Sequence, residues 1–156
     1  MPSKFNFNTC LCRCPKDWVF STNIGCFHFG ENVMTYEDAL QYCKDLTTDG
    51  GLAEIINEDT QYFLTGVLVT KQLYLHDHWW IGANDRNEEG KWIWEHSGKE
   101  IAYNNWHIGE PNDAYGGQDC GLMWFLKDGY APMSTWDDEV CSTWKNPKPI
   151  CQKFGI

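Results

Sequence analysis

The 156-residue chain has no Asn-x-Ser/Thr triplet, no two adjacent basic residues and no apolar run approaching the roughly 20 residues of a membrane span. Each absence closes a class. N-glycosylation is not expected without an acceptor triplet. Nucleic-acid binding needs clustered Lys and Arg for phosphate contacts, and here 12 bases face 22 acids for a net charge of −10. No transmembrane helix is predicted. Met1-Pro2-Ser3-Lys4-Phe5 lacks the pattern of a secretory leader, so the mature chain, or a start methionine in place of a leader, is expected. Catalytic signatures are missing too: there is no Gly-x-Ser-x-Gly, no His-Glu-x-x-His and no phosphate-cradling glycine loop. No pair of residues offers itself as the acid and nucleophile of a glycoside hydrolase. Nothing in the sequence suggests catalysis, and an enzyme is not expected.

Cysteine, by contrast, is plentiful. Eight in so short a chain imply a disulfide framework and a secreted, extracellular setting. None stands in Cys-x-x-Cys spacing, and His76-x-His78 has no third partner, so structural zinc is not expected. Apolar residues make up 42% and aromatics 15%, with 9 Trp, which suffices for one domain with a real core. Trp80, Trp92, Trp94 and Trp106 are expected in that core.

Residues 1–13 read as a polar arm carrying Cys10 and Cys12, and 14–156 as the domain. Cys14 to Phe29 suggests a hairpin closed by a local disulfide. Thr35 offers an N-cap with Glu37 and Asp38 in the first turn, Ala39, Leu40, Cys43 and Leu46 follow at helical spacing, and Gly50-Gly51 stops the helix. A second helix is predicted from Asn57, ending before Tyr74, with Phe63, Leu64, Val67 and Leu68 as its buried stripe. Short strands follow around Trp79–Gly82, Trp92–Trp94, Cys120–Trp124, Ser134–Asp137 and Pro149–Lys153. A stretch from about Ser97 to Gln118, rich in Gly, Asn and Asp, has little periodicity. Loops of that length in compact domains are usually functional. The fold class is α+β.

Cys14-Pro15 with Trp18, Cys26, Cys43, Trp80-Ile81-Gly82-Ala83, Glu110-Pro111-Asn112, Cys120, Trp136-Asp137-Asp138, Cys141 and Cys151 occur in the order of a C-type lectin domain. Over residues 14–153 the chain resembles that family. The resemblance implies a C-type lectin-like fold of two helices, antiparallel sheets and a long calcium-binding loop. It implies bridges Cys14–Cys26 (the mark of the family's long form), Cys43–Cys151 and Cys120–Cys141, pairings that sequence alone does not fix.

The resemblance also implies a Ca²⁺ site. A hard cation takes 6–8 oxygen ligands, and two can come from adjacent sugar hydroxyls. The family's ligand positions fall on Glu110, Asn112, Gln118, Asp137 and Asp138, with Pro111 expected in cis. The family usually has Glu where this chain has Gln118 and Asn where it has Asp137, so three acids and two amides remain. Each coordinated hydroxyl wants one acceptor and one donor. Glu110 with Asn112, and Asp137 with Gln118, are expected to supply those pairs.

Asp85, Glu89, Asp113 and Asp119 match an auxiliary metal site that would order the loop. Glu-Pro-Asn goes with mannose, N-acetylglucosamine, glucose or fucose in related lectins, whereas Tyr115 before Gly116-Gly117 leaves open galactose bound by stacking. A non-sugar user of the fold, binding mineral, ice or protein with structural calcium, also remains open. Cys10 and Cys12 are left over, and an interchain bridge to a second copy is expected. Agglutination or microbial-surface recognition (an innate-immune role) would suit such a dimer.

Overall fold

Thr35 sets the start of the first helix. In the computed structural model, which describes residues 14–76, 78–126 and 133–155, its side chain accepts a hydrogen bond from the Asp38 amide at 3.2 Å, and α1 runs Tyr36–Leu46. The cap satisfies an amide that a first helical turn leaves unpaired, and Glu37 and Asp38 complement the positive helix end. Tyr36, Ala39, Leu40 and Cys43 form the buried face. Asn57 caps α2, Glu58–Thr70, by accepting from the Thr60 amide at 2.9 Å. Cys10 and Cys12, and the arm that carries them, lie outside the described residues.

Two expectations need correction. Gly50-Gly51 does not stop α1, which ends at Leu46 with Thr47 already extended. The glycines open a buried strand, β3, Gly50–Leu52. Close approach explains them: a Cβ on Gly50 would lie 2.3 Å from the Cys43 carbonyl oxygen. The buried stripe of α2 is also rotated. Leu64 and Leu68 are buried as expected, but Thr60 and Gln61 join them and Phe63 and Val67 are half-buried. Gln61 can enter the interior because both ends of its amide are paired. Its Nε2 donates to Ser134 Oγ at 2.7 Å, and its Oε1 accepts from Trp136 Nε1 at 2.8 Å.

The remaining strands are β1 Val19–Ser21, β2 Gly25–Phe29, β4 His78–Asn84, β5 Ile93–Trp94, β6 Cys120–Leu126, β7 Met133–Glu139 and β8 Lys148–Lys153. They join in the order β1-β2-β8-β4-β6-β7, with β3 against β8 and β5 against β4. Neighbours run antiparallel except β4 and β8, which pair in parallel at Trp79↔Lys148 and Trp80↔Pro149 and make the sheet mixed. Side chains alternate across a strand, and β4 shows what that does here. Trp79 enters one core with Phe27, Leu64, Leu68, Trp94 and Trp136, while Trp80 enters the other with Tyr36, Leu40, Cys43 and Leu122. Trp92 and Trp106 are half-buried against the first core. No helix among the described residues is long and apolar enough to cross a membrane.

Three disulfides staple the sheet and helices: Cys14–Cys26, Cys43–Cys151 and Cys120–Cys141. The second ties α1 to β8 across 108 residues of sequence, the first only 12. Loop-closure entropy makes the longer bridge the more stabilising, at about 4–5 kcal/mol in the chain-entropy model. Replacing Cys43 and Cys151 together by Ala should lower the unfolding free energy by about 2–5 kcal/mol, more than the Cys14/Cys26 double replacement. Denaturant titration of the two variants checks the order, and equal losses would contradict it.

Candidate functional site

The end of β7 carries three consecutive acids, Asp137, Asp138 and Glu139. Alternation sends Asp138 to one face of the strand and the other two to the opposite face. Asp138 is fully buried, and its carboxylate is filled by backbone: Oδ1 accepts from the Asn112 amide at 3.1 Å and Oδ2 from the Asp113 amide at 2.6 Å. These two bonds fasten the turn that follows Glu110–Pro111, a cis peptide as expected, to the strand. Further down the strand the loop is tied by two backbone bonds and one side-chain amide. The Trp136 amide donates to Asn105 O, and the His107 amide to Trp136 O, each at 2.8 Å. Asn105 Nδ2 donates to Ser134 O at 2.7 Å.

This arrangement brings carboxylate oxygens of Glu110, Asp137 and Asp138 within 4.8 Å of one another. Glu110 Oε1 accepts from Asn112 Nδ2 at 2.9 Å, while its Oε2 is buried with no hydrogen-bond partner. Burial first, then the nearness of Asp138 and Asp137, pushes the Glu110 carboxyl up to about 8. Asp137 is also held above its ordinary range, chiefly by burial, although Lys145 pulls it down. Like charges gathered this closely resist ionisation unless a cation joins them.

Gln118 is held between the loop backbone and Glu139. Its Oε1 accepts from the Ala114 amide at 2.7 Å, the same amide that donates to Asn112 Oδ1 at 2.8 Å, but its Nε2 is 3.4 Å from Glu139 Oε1. Asp137 is paired with Lys145, whose Nζ lies 3.3 Å from Asp137 Oδ2 and 2.6 Å from Glu139 Oε2. The ammonium is thus the charged partner of the half-buried Asp137 carboxylate. Burial works to raise Glu139, but Lys145 and the Val140 amide bring it below its ordinary value. Sequence reasoning missed Lys145 and Glu139. Period-two alternation along β7 could have paired Glu139 with Asp137, whereas nothing in the sequence points to Lys145. Tyr115 is fully exposed at 107%, with a left-handed φ of 67°.

A second trio, Asp85, Glu89 and Asp119, also brings oxygens within 4.8 Å. Asp85 follows β4 and is 3% exposed; its Oδ2 accepts from the Gly90 amide at 2.8 Å and its Oδ1 is buried without a partner. Burial first, then Asp119 and Asp138, raises its carboxyl. Glu89 is raised by desolvation and by Asp85, Asp113 and Asp119. Asp113 stands outside the trio because its Oδ1 is taken up by the Gly117 amide at 2.6 Å and the Gln118 amide at 2.9 Å. Both trios are hard oxygen sets holding one unpartnered buried oxygen, a chemistry that fits calcium better than a soft metal.

A disulfide-stapled α+β domain with acids gathered along one long loop belongs to the class of carbohydrate-recognition modules. The chain is a member of the C-type lectin family: the lectin C-type domain model matches residues 32–153. It is 31% identical over 132 residues to a perlucin-like protein of Mytilus galloprovincialis, covering 84% of this chain and 78% of that one. It is 30% identical over 139 residues to an alpha-N-acetylgalactosamine-specific lectin of Patiria pectinifera, covering 85% and 79%. The chain spans only 38% of a longer relative. Among solved structures it is similar to the cow C-type carbohydrate-recognition domain of CD23 in the presence of a GlcNAc2Man3 oligosaccharide. There the TM-score is 0.72 and the identity 30%, over 92% of this chain and 98% of that one. Domains of this family are non-enzymatic carbohydrate-binding modules, and they generally bind Ca²⁺.

The raised Glu110 carboxyl has a measurable consequence. The folded protein holds a proton on Glu110 that the unfolded chain releases above the ordinary 4.5, so calcium-free stability should fall as pH rises toward about 8. Glu110→Gln should raise the calcium-free melting midpoint near pH 8 and flatten its slope from about pH 5 upward. Thermal melts in chelator across that window check this, and a variant with the wild-type slope would contradict it.

Proposed function

We propose that this domain binds glycans through a calcium ion held by Glu110, Asn112, Gln118, Asp137 and Asp138, with mannose-type sugars preferred. The observation that carries the reading is the convergence of three carboxylates around a buried, unpartnered Glu110 Oε2. Calcium, when bound, supplies coordination for two adjacent sugar hydroxyls. The chain supplies the rest of the recognition. Glu110 accepts a hydroxyl proton and Asn112 Nδ2 donates to a hydroxyl lone pair; these groups already stand 2.9 Å apart. Asp137 is the acceptor for the second hydroxyl. Asp85, Glu89 and Asp119, with Asp113 nearby, form an auxiliary site whose role is to order the loop.

Sugar preference follows the Glu110-Pro111-Asn112 triplet, and the cow domain crystallised with a mannose-containing oligosaccharide is consistent with it. A galactose-type reading draws support from fully exposed Tyr115, free to stack on a sugar face, and from the alpha-N-acetylgalactosamine-specific lectin of Patiria pectinifera. The domain is read as secreted, in keeping with three disulfides. It is also read as a dimer bridged through Cys10 and Cys12. One sugar on one site binds at about −4 kcal/mol, near millimolar, and pairing sites adds roughly 10² to 10⁴ in avidity.

Competition for a mannan surface tests the function. Binding should vanish in chelator, return with calcium, and be inhibited by free mannose or N-acetylglucosamine better than by galactose. Stronger inhibition by galactose would transfer the assignment to stacking on Tyr115. Calcium binding without any glycan binding would reduce the domain to a non-sugar user of its fold. Non-reducing electrophoresis should give a dimer band, and a purely monomeric band removes the bridge.

A further inference from the structure

Lys145 is not among the residues that the glycan-site reading uses, yet its ammonium pairs with Asp137 at the acidic cluster. It follows Cys141 in the turn closed by Cys120–Cys141, where its amide donates to Thr143 Oγ1 at 3.2 Å and the Thr143 amide to Val140 O at 2.9 Å. The backbone is thereby folded so that the ammonium lies between Asp137 and Glu139. Side-chain exposures of 27%, 13% and 9% put this pairing largely out of solvent, where a unit charge acts over several ångströms with little screening. Burial opposes the ammonium, but Glu139 and Asp137 outweigh it and hold Lys145 above its ordinary range. The same cation anchors a chain of contacts into the loop: Glu139 Oε1 receives Gln118 Nε2, and Gln118 Oε1 receives the Ala114 amide.

These contacts bear on a difference from the family pattern. Where the family usually has Asn, this chain has Asp137, an added charge beside two acids already crowded. Gln118 does not touch that charge, because its amide is committed to Glu139 and Ala114. Lys145 touches it directly and through one oxygen only, Oδ2, leaving Oδ1 outside the pairing. A neutral side chain at 145 would leave half-buried Asp137 and buried Glu139 without the cation that pairs with both.

We propose that Lys145 is the resident counter-cation of the site, a positioning residue that fixes Asp137 through Oδ2 and weakens the site's affinity for calcium. The assignment rests on the calcium reading above and concerns how that site is tuned. Lys145 keeps the acids together while no metal is bound, and it lowers the negative potential that an incoming divalent ion meets. The chain thus trades calcium affinity for a calcium-free fold that stays in shape.

The test uses the full chain, calorimetric titration with calcium alone, and thermal melts in chelator. Lys145→Met should bind calcium about tenfold more tightly or better, since one positive charge a few ångströms from a divalent ion costs about that much even in a water-like dielectric. Its calcium-free melting midpoint should fall. Lys145→Arg keeps the charge and should return both quantities close to wild type. Added NaCl should leave most of the affinity gap between wild type and Lys145→Met in place, because a pairing largely out of solvent is little screened. Should Lys145→Met fail to fold, Lys145→Gln takes its place with the same expected rise. Unchanged or weaker calcium binding by a folded neutral variant overturns the assignment while leaving the calcium site intact. A wild-type chain that binds no calcium overturns the calcium reading itself.

Discussion

Everything at the loop depends on one buried carboxylate. Asp138 has no access to solvent, so its charge must be answered inside the protein or not exist. Two backbone amides, from Asn112 and Asp113, answer it. Charge-assisted bonds of that kind are about twice as strong as neutral ones, and here they lock an irregular turn onto a regular strand. Neither side of this contact could be placed alone: the turn has no apolar anchor of its own, and the strand end has no other group to fill both oxygens.

Below the charged layer the same strand is held by neutral groups. Gln61 reaches from α2 to Ser134 and Trp136, while Asn105 reaches from the loop to Ser134. Fully paired amides in a core add direction where apolar packing adds only contact. Trp136 is fully buried in that layer and is clasped by the loop backbone on both its amide and its carbonyl. The acids that follow it are therefore presented from a rigid base. That rigidity allows three carboxylates to stand together instead of swinging apart into water.

Local physics made much of the fold legible. Thr35 and Asn57 cap helices because their side-chain oxygens meet free amides, and any helix at those positions would use them. The paired Trp79-Trp80 could be read as a doubly buried strand, and the bridge pattern followed from the family resemblance. What escaped was whatever tertiary contact decides. Gly50 looks like a stop signal and is in fact a contact point for the Cys43 carbonyl. Gln61 looks like a surface residue until Ser134 and Trp136, more than 70 positions away, arrive to satisfy it. Among the candidate ligands, the acids and Asn112 could be named from the motif, but the direction of the Gln118 amide could not. Lys145 could not be found at all, since its role comes from a turn that no periodicity describes.

The long loop itself poses a physical question: what orders more than twenty residues that contain no strand between Trp94 and Cys120? Apolar burial contributes at Trp106 and Tyr103, which pack against the core. Over the Gly- and Asp-rich half, carboxylates take over. Asp138 holds the turn after Pro111, and Asp113 gathers the Gly117 and Gln118 amides. Around them, burial first and then the nearness of other acids raise Glu110, Asp137, Asp85 and Glu89 toward protonation. A cation held by these acids would relieve that repulsion by stabilising their ionised form. Order in the loop and affinity for an ion are on this view the same free energy, linked through the carboxylates. The net charge of −10, so easily read as a soluble surface, is in good part the means by which a strandless segment is given a shape.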